Sequence, residues 1–502
     1  MKNQLKAGVI LSYISLMLQL VVQLLYTPVM INLLGQSEYG LYTLVGSVVS
    51  YLSLLSFGAT GAYVRFYMRL HKNGDNDGIS RLNGMFMTVF LIMSAVALIC
   101  GCILAGFTPE ILGDKLTESE LEKAKILMYI LVFNIALTFP SSLFDSIVSA
   151  HEQFVFQRAL NLLSVIFNPL ICLPLLLMGH DSVAIVAVTL VISVVKLAVN
   201  AAYCLGKLRV AFRFGSFDFS LLREIAVFSF FIFINLLIDQ VNWSVDKYIL
   251  GRVSGTSEVA VYGVSAVINS AFISFSTAVS SVFAPKVNRI VSENKSDMML
   301  RLTEIFIKVG RIQFMIMGLI ASGFVFFGKY FITEIYVTVE YENAYYAALF
   351  LILPFIVPLI QNVGLEIQRA VNKHKFRSLV CLGMAVINVI ISIPLGIYFG
   401  CVGTAAGTAV SLVIANGIIM NIYYHKVIGV DIISFWRSIS GILKGFIIPI
   451  VFGIIIMNFV TFNGTLGFCL WVFGYTVVYI LSVSILSCNK EEKSFLLRLK
   501  RK

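Results

Sequence analysis

Apolar residues run through this chain in long continuous blocks, each closed by charged or turn-forming residues, and many reach the roughly 20 residues that a helix needs to cross a bilayer. Fourteen such blocks lie near residues 8–34, 39–64, 82–107, 124–148, 155–178, 183–206, 222–250, 258–284, 302–327, 343–366, 378–399, 402–424, 441–462 and 465–487. Membrane barrel strands alternate apolar and polar positions, and these blocks do not. Backbone in lipid then satisfies its N–H and C=O groups only within a helix. The pattern predicts an all-α integral membrane protein of about 14 transmembrane helices.

Composition agrees. The 502 residues are 59% hydrophobic and 13% charged, which a soluble domain of this size would be unable to keep off its surface. Lys2 and Lys6 precede the first block, as in a signal peptide, but the block is longer than a signal core and no small-residue cleavage site follows, so it reads as a retained first helix. The eight cysteines are scattered, none in a Cys-x-x-Cys pair, and read as apolar filler, with no metal site expected.

The net charge of +11 follows the membrane and not a nucleic acid. Thirty of the 37 Lys and Arg fall in alternate connections, and Lys115, Lys123, Lys125, Lys247, Arg252 and Lys329 in the others. By the positive-inside rule both termini are cytoplasmic and the number of spans is even. The longest opposite-side connection, Pro109 to Lys123, is acidic, with Glu110, Asp114, Glu118, Glu120 and Glu122. No inserted catalytic domain is expected, and no enzyme.

The segment Leu34-Gly35-Gln36-Ser37-Glu38-Tyr39-Gly40-Leu41-Tyr42 returns at Leu250-Gly251-Arg252 through Ser257-Glu258-Val259-Ala260-Val261-Tyr262. Six blocks separate the copies, so the halves are parallel repeats, a layout used by alternating-access transporters. Residues 1–210 are expected to form a six-helix bundle and residues 211–428 its repeat, with two extra helices and a basic tail over 429–502. An offset of 216 aligns Gln19 with Asn235 and Gln23 with Asp239.

An ionisable group at bilayer depth costs on the order of 3 kcal/mol, so each one needs a partner, a wet cavity or a function. Asn235, Asp239, Asn242, Trp243 and Asp246 recur at helical spacing on the seventh block, and Gln19, Gln23, Tyr26 and Thr27 on the first. These matched faces are expected to line a cleft, or to bond helices within a bundle. Lys196 lies about eleven residues, roughly 16 Å, from the basic end of its block, too deep for easy snorkelling. It is a candidate diphosphate contact or the counter-ion of a carboxylate such as Asp239. Glu366 follows Pro354 and Pro358, which predict a broken helix, and stands at i,i+3 from Arg369. Asp431 to Arg437 reads as an interfacial turn with Trp436 as its anchor.

Thr27-Pro28, Leu34-Gly35, Glu38-Tyr39-Gly40-Leu41-Tyr42 and Leu55-Ser56-Phe57-Gly58 resemble the opening of bacterial polysaccharide-export flippases of the Wzx type, in the multidrug/oligosaccharidyl-lipid/polysaccharide exporter superfamily. Asp246-Lys247-Tyr248-Ile249-Leu250-Gly251 and Val261-Tyr262-Gly263 resemble that family's seventh-to-eighth helix segment. The resemblance implies a flippase of the bacterial cytoplasmic membrane that moves an undecaprenyl-diphosphate-linked oligosaccharide, an O-antigen or capsule repeat unit, with a polymerase and chain-length proteins as partners. Membrane lipids surround it, and nucleic acid has no part.

Arg65, Arg311 and Arg369, near basic helix ends, are candidate diphosphate contacts, because a guanidinium forks onto phosphate oxygens. No Gly-x-x-x-x-Gly-Lys-Ser/Thr loop is present, so no nucleotide cofactor is expected. Energy would come from H+ or Na+, with Asp239, Asp246 or Glu366 as the coupling carboxylate. A cation-coupled multidrug exporter and a peptidoglycan lipid-precursor flippase are the alternatives. A polymerase or ligase of the same glycan would present a larger external loop.

Overall fold

The computed structural model describes residues 2–113, 115–215, 219–293, 296–371, 373, 375–489 and 492. No β-strand occurs among the described residues, and helices hold nearly all of them. Contacts divide the chain into two compact units, Met1–Gly263 and Val264–Lys502.

The first unit holds α1 (Lys2–Leu34), α2 (Gln36–Val49), α3 (Ala59–Lys72), α4 (Asn76–Gly106), the short α5 (Thr108–Leu112), α6 (Glu118–Ala150), α7 (Phe154–Leu177), α8 (Ser182–Ala202), α9 (Phe219–Val253) and the start of α10 (Thr256–Ser281). The second unit takes the rest of α10, then α11 (Ala284–Glu293), α12 (Met298–Tyr330), α13 (Glu342–Ile360), α14 (Asn362–Ala370), α15 (Lys375–Leu412), α16 (Met420–Tyr423), α17 (Ile432–Ser440), α18 (Ile447–Phe459) and α19 (Gly464–Leu486).

Local chemistry sets the boundaries. Gly35 joins α1 to α2 alone, at φ 81°, a conformation open to a residue without Cβ. Past α2 a tight turn over Ser50–Ser56 ends in left-handed Phe57 and Gly58, and α3 follows. Thr117 and Glu120 close a reciprocal capping box on α6, while Asp75, Asp181 and Asp431 accept amide hydrogens at the starts of α4, α8 and α17. The break expected from Pro354 and Pro358 falls at Gln361, between α13 and α14.

Helices at corresponding places in the two sequence copies have similar lengths. α1 and α9 have 33 and 35 residues, and α4 and α12 have 31 and 33. The second span of each copy, Gln36–Lys72 or Thr256–Glu293, is 37 or 38 residues long and breaks before its last turns. The short helix after each break is amphipathic: α3 buries Ala62, Tyr63, Phe66 and Tyr67, and α11 buries Val287 and Ile290.

Among the described residues twelve segments are long and apolar enough to cross a membrane. One of them, Lys375–Ile428, has 54 residues, about 80 Å as a straight helix and nearly twice a bilayer. It turns at Gly400, φ 57° and ψ −138°. The fourteen runs of the sequence are reached from the twelve only if this segment crosses twice and α9, which is not among them, is added.

The core of the first unit joins Tyr63, Phe66, Phe86, Phe90, Phe139 and Leu143 from α3, α4 and α6. In the second unit Phe306 packs on Phe435 and Tyr424, with centroids 4.6 and 5.6 Å away. Trp436, expected to anchor at the interface, donates its indole N–H to Asn421 Oδ1 at 2.8 Å.

Arg311 of α12 is a structural tie in the second unit. Its Nε and Nη2 donate to Glu492 at 2.7 and 2.9 Å, Nη2 also to the Ser487 carbonyl at 2.9 Å, and Nη1 to the Ser438 carbonyl and hydroxyl at 2.8 and 3.3 Å. A guanidinium has five N–H donors, and all five are occupied. A diphosphate, the ligand expected from the sequence, would have to displace Glu492. Removing Arg311 leaves a nearly buried carboxylate without its counter-charge and with only the Asn489 amide as donor, so Arg311→Ala should cost about 3 kcal/mol and lower the melting temperature in detergent.

Burial alone would raise the Glu492 carboxyl pKa, but hydrogen bonds from Arg311 and the Asn489 amide bring it below its ordinary 4.5. A lowered folded pKa contributes stability above the unfolded value, lost as pH falls through the folded one. Thermal stability should therefore decline below about pH 4.5, and less steeply in Glu492→Gln. Equal pH profiles for the two proteins would remove the tie.

Candidate functional site

At the Gly35 end of the first unit the repeated motif holds helices together. Ser37 Oγ donates to Glu120 Oε1 at 2.5 Å and meets Thr256 Oγ1 at 2.9 Å, while Thr256 donates to the same Glu120 oxygen at 2.8 Å. Glu38 accepts from Lys123 at 2.8 Å, from the Ser182 amide at 3.2 Å and from the Ser182 hydroxyl. Lys123 also pairs with Asp181 at 3.1 Å. One Ser-Glu dipeptide thus ties α2 to the starts of α6, α8 and α10.

Glycines let the two copies of the motif touch. A Cβ on Gly40 would overlap the Thr256 carbonyl oxygen and stand 2.6 Å from its carbon. Gly251 receives the Leu44 side chain, and Gly263 the Tyr39 ring.

Deeper in the unit, α6 and α8 carry an ion pair. Lys196 Nζ lies 3.5 Å from Asp145 Oδ2, with 27% of each side chain exposed, and Asn200 Nδ2 donates to Asp145 Oδ1 at 2.9 Å. The 3.5 Å contact sets Asp145, five residues before the end of α6, beside Lys196, eleven residues before the helical run from α8 ends at Lys207. The Asn200 side-chain oxygen Oδ1 is buried and accepts no hydrogen bond among the described residues. Gln157 of α7 donates to the Asp145 carbonyl at 3.3 Å, which brings a third helix to the cluster.

A separation of 3.5 Å is an ion pair but a poor hydrogen bond, and the ammonium has three donors.

The sequence singles out Lys196 but misses Asp145. It is the one carboxylate between residues 124 and 148, and a lone charge in an apolar block is the signal that would have found it.

The polar face of α9 is partly described. Asn235, Asp239 and Trp243 lie outside the residues whose side chains are described. Gln240, not singled out from the sequence, donates to Ser50 and Ser244 at 2.5 and 2.6 Å. Asp246 is buried and accepts from Tyr262 at 2.6 Å, a contact between the second copy's helix and its own motif. Asn242 is half-buried, Gln23 half-buried and Gln19 exposed, and none of these three amides has a hydrogen bond among the described residues.

Glu366 accepts from Arg369 at 2.9 Å across one helical turn. Arg65 and Arg369 are exposed. No cluster of metal-ligating side chains occurs among the described residues.

An all-α, multi-pass protein with doubled helices and a charged pair inside one bundle belongs, by class, with membrane transporters. The solved lipid II flippase MurJ, in an inward closed conformation, matches with a TM-score of 0.68 at 16% identity, over 95% of this chain and 98% of that one. An inward-facing multidrug resistance MATE family transporter of the MOP superfamily gives 0.57 at 14% identity, over 83% and 99%. A MOP superfamily transporter from Pyrococcus furiosus gives 0.55 at 16% identity, over 87% and 96%. The fold is that of MOP superfamily transporters. No curated protein sequence matches the chain. The family model described as "Polysaccharide biosynthesis protein" matches residues 5–291, and the chain belongs to that family.

Proposed function

We propose that the protein is a flippase that carries a lipid-linked oligosaccharide, an undecaprenyl-diphosphate-linked repeat unit of a surface polysaccharide, across the bacterial cytoplasmic membrane by alternating access. The family match over residues 5–291 carries the reading, because it ties the transporter fold to polysaccharide biosynthesis. The lipid II flippase is matched over 95% of this chain and the MATE transporter over 83%, a shortfall of about the size of the last two helices. That difference favours a lipid-linked cargo over a drug.

In this reading both termini are cytoplasmic, and the basic connections meet the anionic leaflet and the diphosphate. Lys196 exchanges Asp145 for a phosphate oxygen of the cargo. Gln19, Gln23 and Asn242 offer open amides to sugar hydroxyls, with Asn235 and Asp239 on the same helix as Asn242. A gradient of H+ or Na+ drives the cycle through a carboxylate, with Asp239, Asp246 and Glu366 as candidates. The exported repeat units then supply a polymerase.

Deletion of the gene should leave undecaprenyl-linked repeat units on the cytoplasmic face, measured by lipid extraction and mass spectrometry. Normal surface polysaccharide in a deletion strain without another flippase would sink the proposal, and drug hypersensitivity alone would favour the exporter.

A further inference from the structure

One cation of the first unit is not accounted for by its neighbours. Of the Lys and Arg on the less basic side, Lys123 pairs with Glu38 and Asp181, Lys329 pairs with Glu342 at 2.7 Å, and Arg252 donates to the Glu110 and Ile111 carbonyls. Lys115 and Lys125 are exposed. Lys247 is the one that is half-buried with no hydrogen bond or ion pair among the described residues. Its ammonium keeps some exposed surface, so a ligand can reach it.

Helix geometry sets where that side chain points. Successive residues of an α-helix turn by about 100°, so Lys247 lies about 40° from Gly251 on one flank and about 100° from Asp246 on the other. Gly251 receives the Leu44 side chain of α2, and Ser244, on the same flank, meets Ser50 just past the end of α2 at 3.3 Å. Asp246 accepts from Tyr262 of α10 at 2.6 Å. α2 and α10 also meet each other, at Gly40 with Thr256 and at Tyr39 with Gly263. Lys247 therefore points into the angle among α2, α9 and α10, and not toward lipid. The pairing of Leu44 with Gly251 and of Ser50 with Ser244 sets it further from the Gly35 end than the Gly40–Thr256 contact.

An ammonium without a counter-charge inside a membrane helix is unfavourable until water or an anion reaches it. Sugar hydroxyls leave its charge uncompensated. Phosphate oxygens match it, because three N–H donors on a compact cation make short charge-assisted bonds to them. Lys196 is eleven residues from the basic end of its helical run, whereas Lys247 is six residues, about 9 Å, from the opposite end of α9. The two ammonium groups thus mark separate depths.

We propose that Lys247 binds the diphosphate of the cargo late in its passage, beneath the contact between α2 and α10. This rests on the flippase reading, which supplies the diphosphate. An anionic phospholipid carries a similar phosphate but meets the protein from the lipid side, away from which Lys247 is turned.

The test is native mass spectrometry of the full chain purified in mild detergent, with polyprenyl diphosphate and phosphatidylglycerol added in turn. Wild type should retain the diphosphate more firmly. Lys247→Gln, which keeps the length and removes the charge, should weaken that retention about tenfold, and Lys247→Arg should stay within about threefold of wild type. Phosphatidylglycerol retention should be the same in all three. Lys247→Met should raise the melting temperature of the empty protein while losing the diphosphate, the reverse of what loss of a structural contact does. Lys125→Gln, at an exposed position of α6, should change neither. Equal retention of the diphosphate by wild type and Lys247→Gln, a parallel loss of phosphatidylglycerol, or a lower melting temperature in Lys247→Met would overturn the proposal and leave the flippase reading in place. A wild type that holds no polyprenyl diphosphate would overturn both.

Discussion

Gly40→Ala should be among the most damaging single-methyl additions to this protein. Its new Cβ would meet backbone, the Thr256 carbonyl, with the Ala260 amide nitrogen 3.3 Å away, so no side-chain rotation makes room. The first turn of α10 would have to retreat from α2. That retreat also breaks the Ser37–Thr256 contact of 2.9 Å and strains the Thr256–Glu120 bond of 2.8 Å. Overpacking costs about 1–3 kcal/mol where side chains can yield, and the upper end is expected where backbone must move.

Gly46, six residues along the same helix, provides the control. Nothing lies within 4 Å of a Cβ there, and removing a helical glycine should stabilise by up to about 1 kcal/mol. Melting curves by fluorescence-detected size exclusion should therefore move down for Gly40→Ala and level or up for Gly46→Ala. Equal melting temperatures would mean that α2 and α10 do not meet as described.

Features set by neighbours in sequence were legible without coordinates, and features set across helices were not. Apolar blocks, Gly35, and the prolines before Gln361 act within a few residues, so the helices and the break between α13 and α14 could be read directly. The repeated Ser-Glu motif was visible too, but its role as a tie depends on Lys123, Asp181 and Thr256, far along the chain. Arg311 shows the limit most clearly. Its position at a basic helix end already had an explanation in charge topology, and nothing local points to a carboxylate 181 residues away. Depth alone makes Lys196 costly and so legible, while its partner sits in a block whose pattern is apolar.

That pair supplies the second large effect. Lys196→Ala would leave Asp145 held by Asn200 alone, and Asp145→Asn would leave an ammonium at depth without its counter-charge. Breaking a fully buried pair costs 3–5 kcal/mol and an exposed one less than about 1; at 27% exposure the cost should be about 2 kcal/mol. Both single variants should thus lose stability, whatever the role of the pair. The double variant Lys196→Met with Asp145→Leu separates structure from transport. It removes both charges and restores apolar packing, so expression and melting temperature should return close to wild type. If Lys196 binds the cargo phosphate as proposed, export should not return, because that charge-assisted contact is still missing, and flux should stay down by about tenfold or more. Surface polysaccharide per unit of protein, measured in a deletion strain complemented with each variant, reads the difference. If the double variant exports normally at wild-type abundance, the pair is a structural bond between α6 and α8, and the cargo's phosphate is held elsewhere.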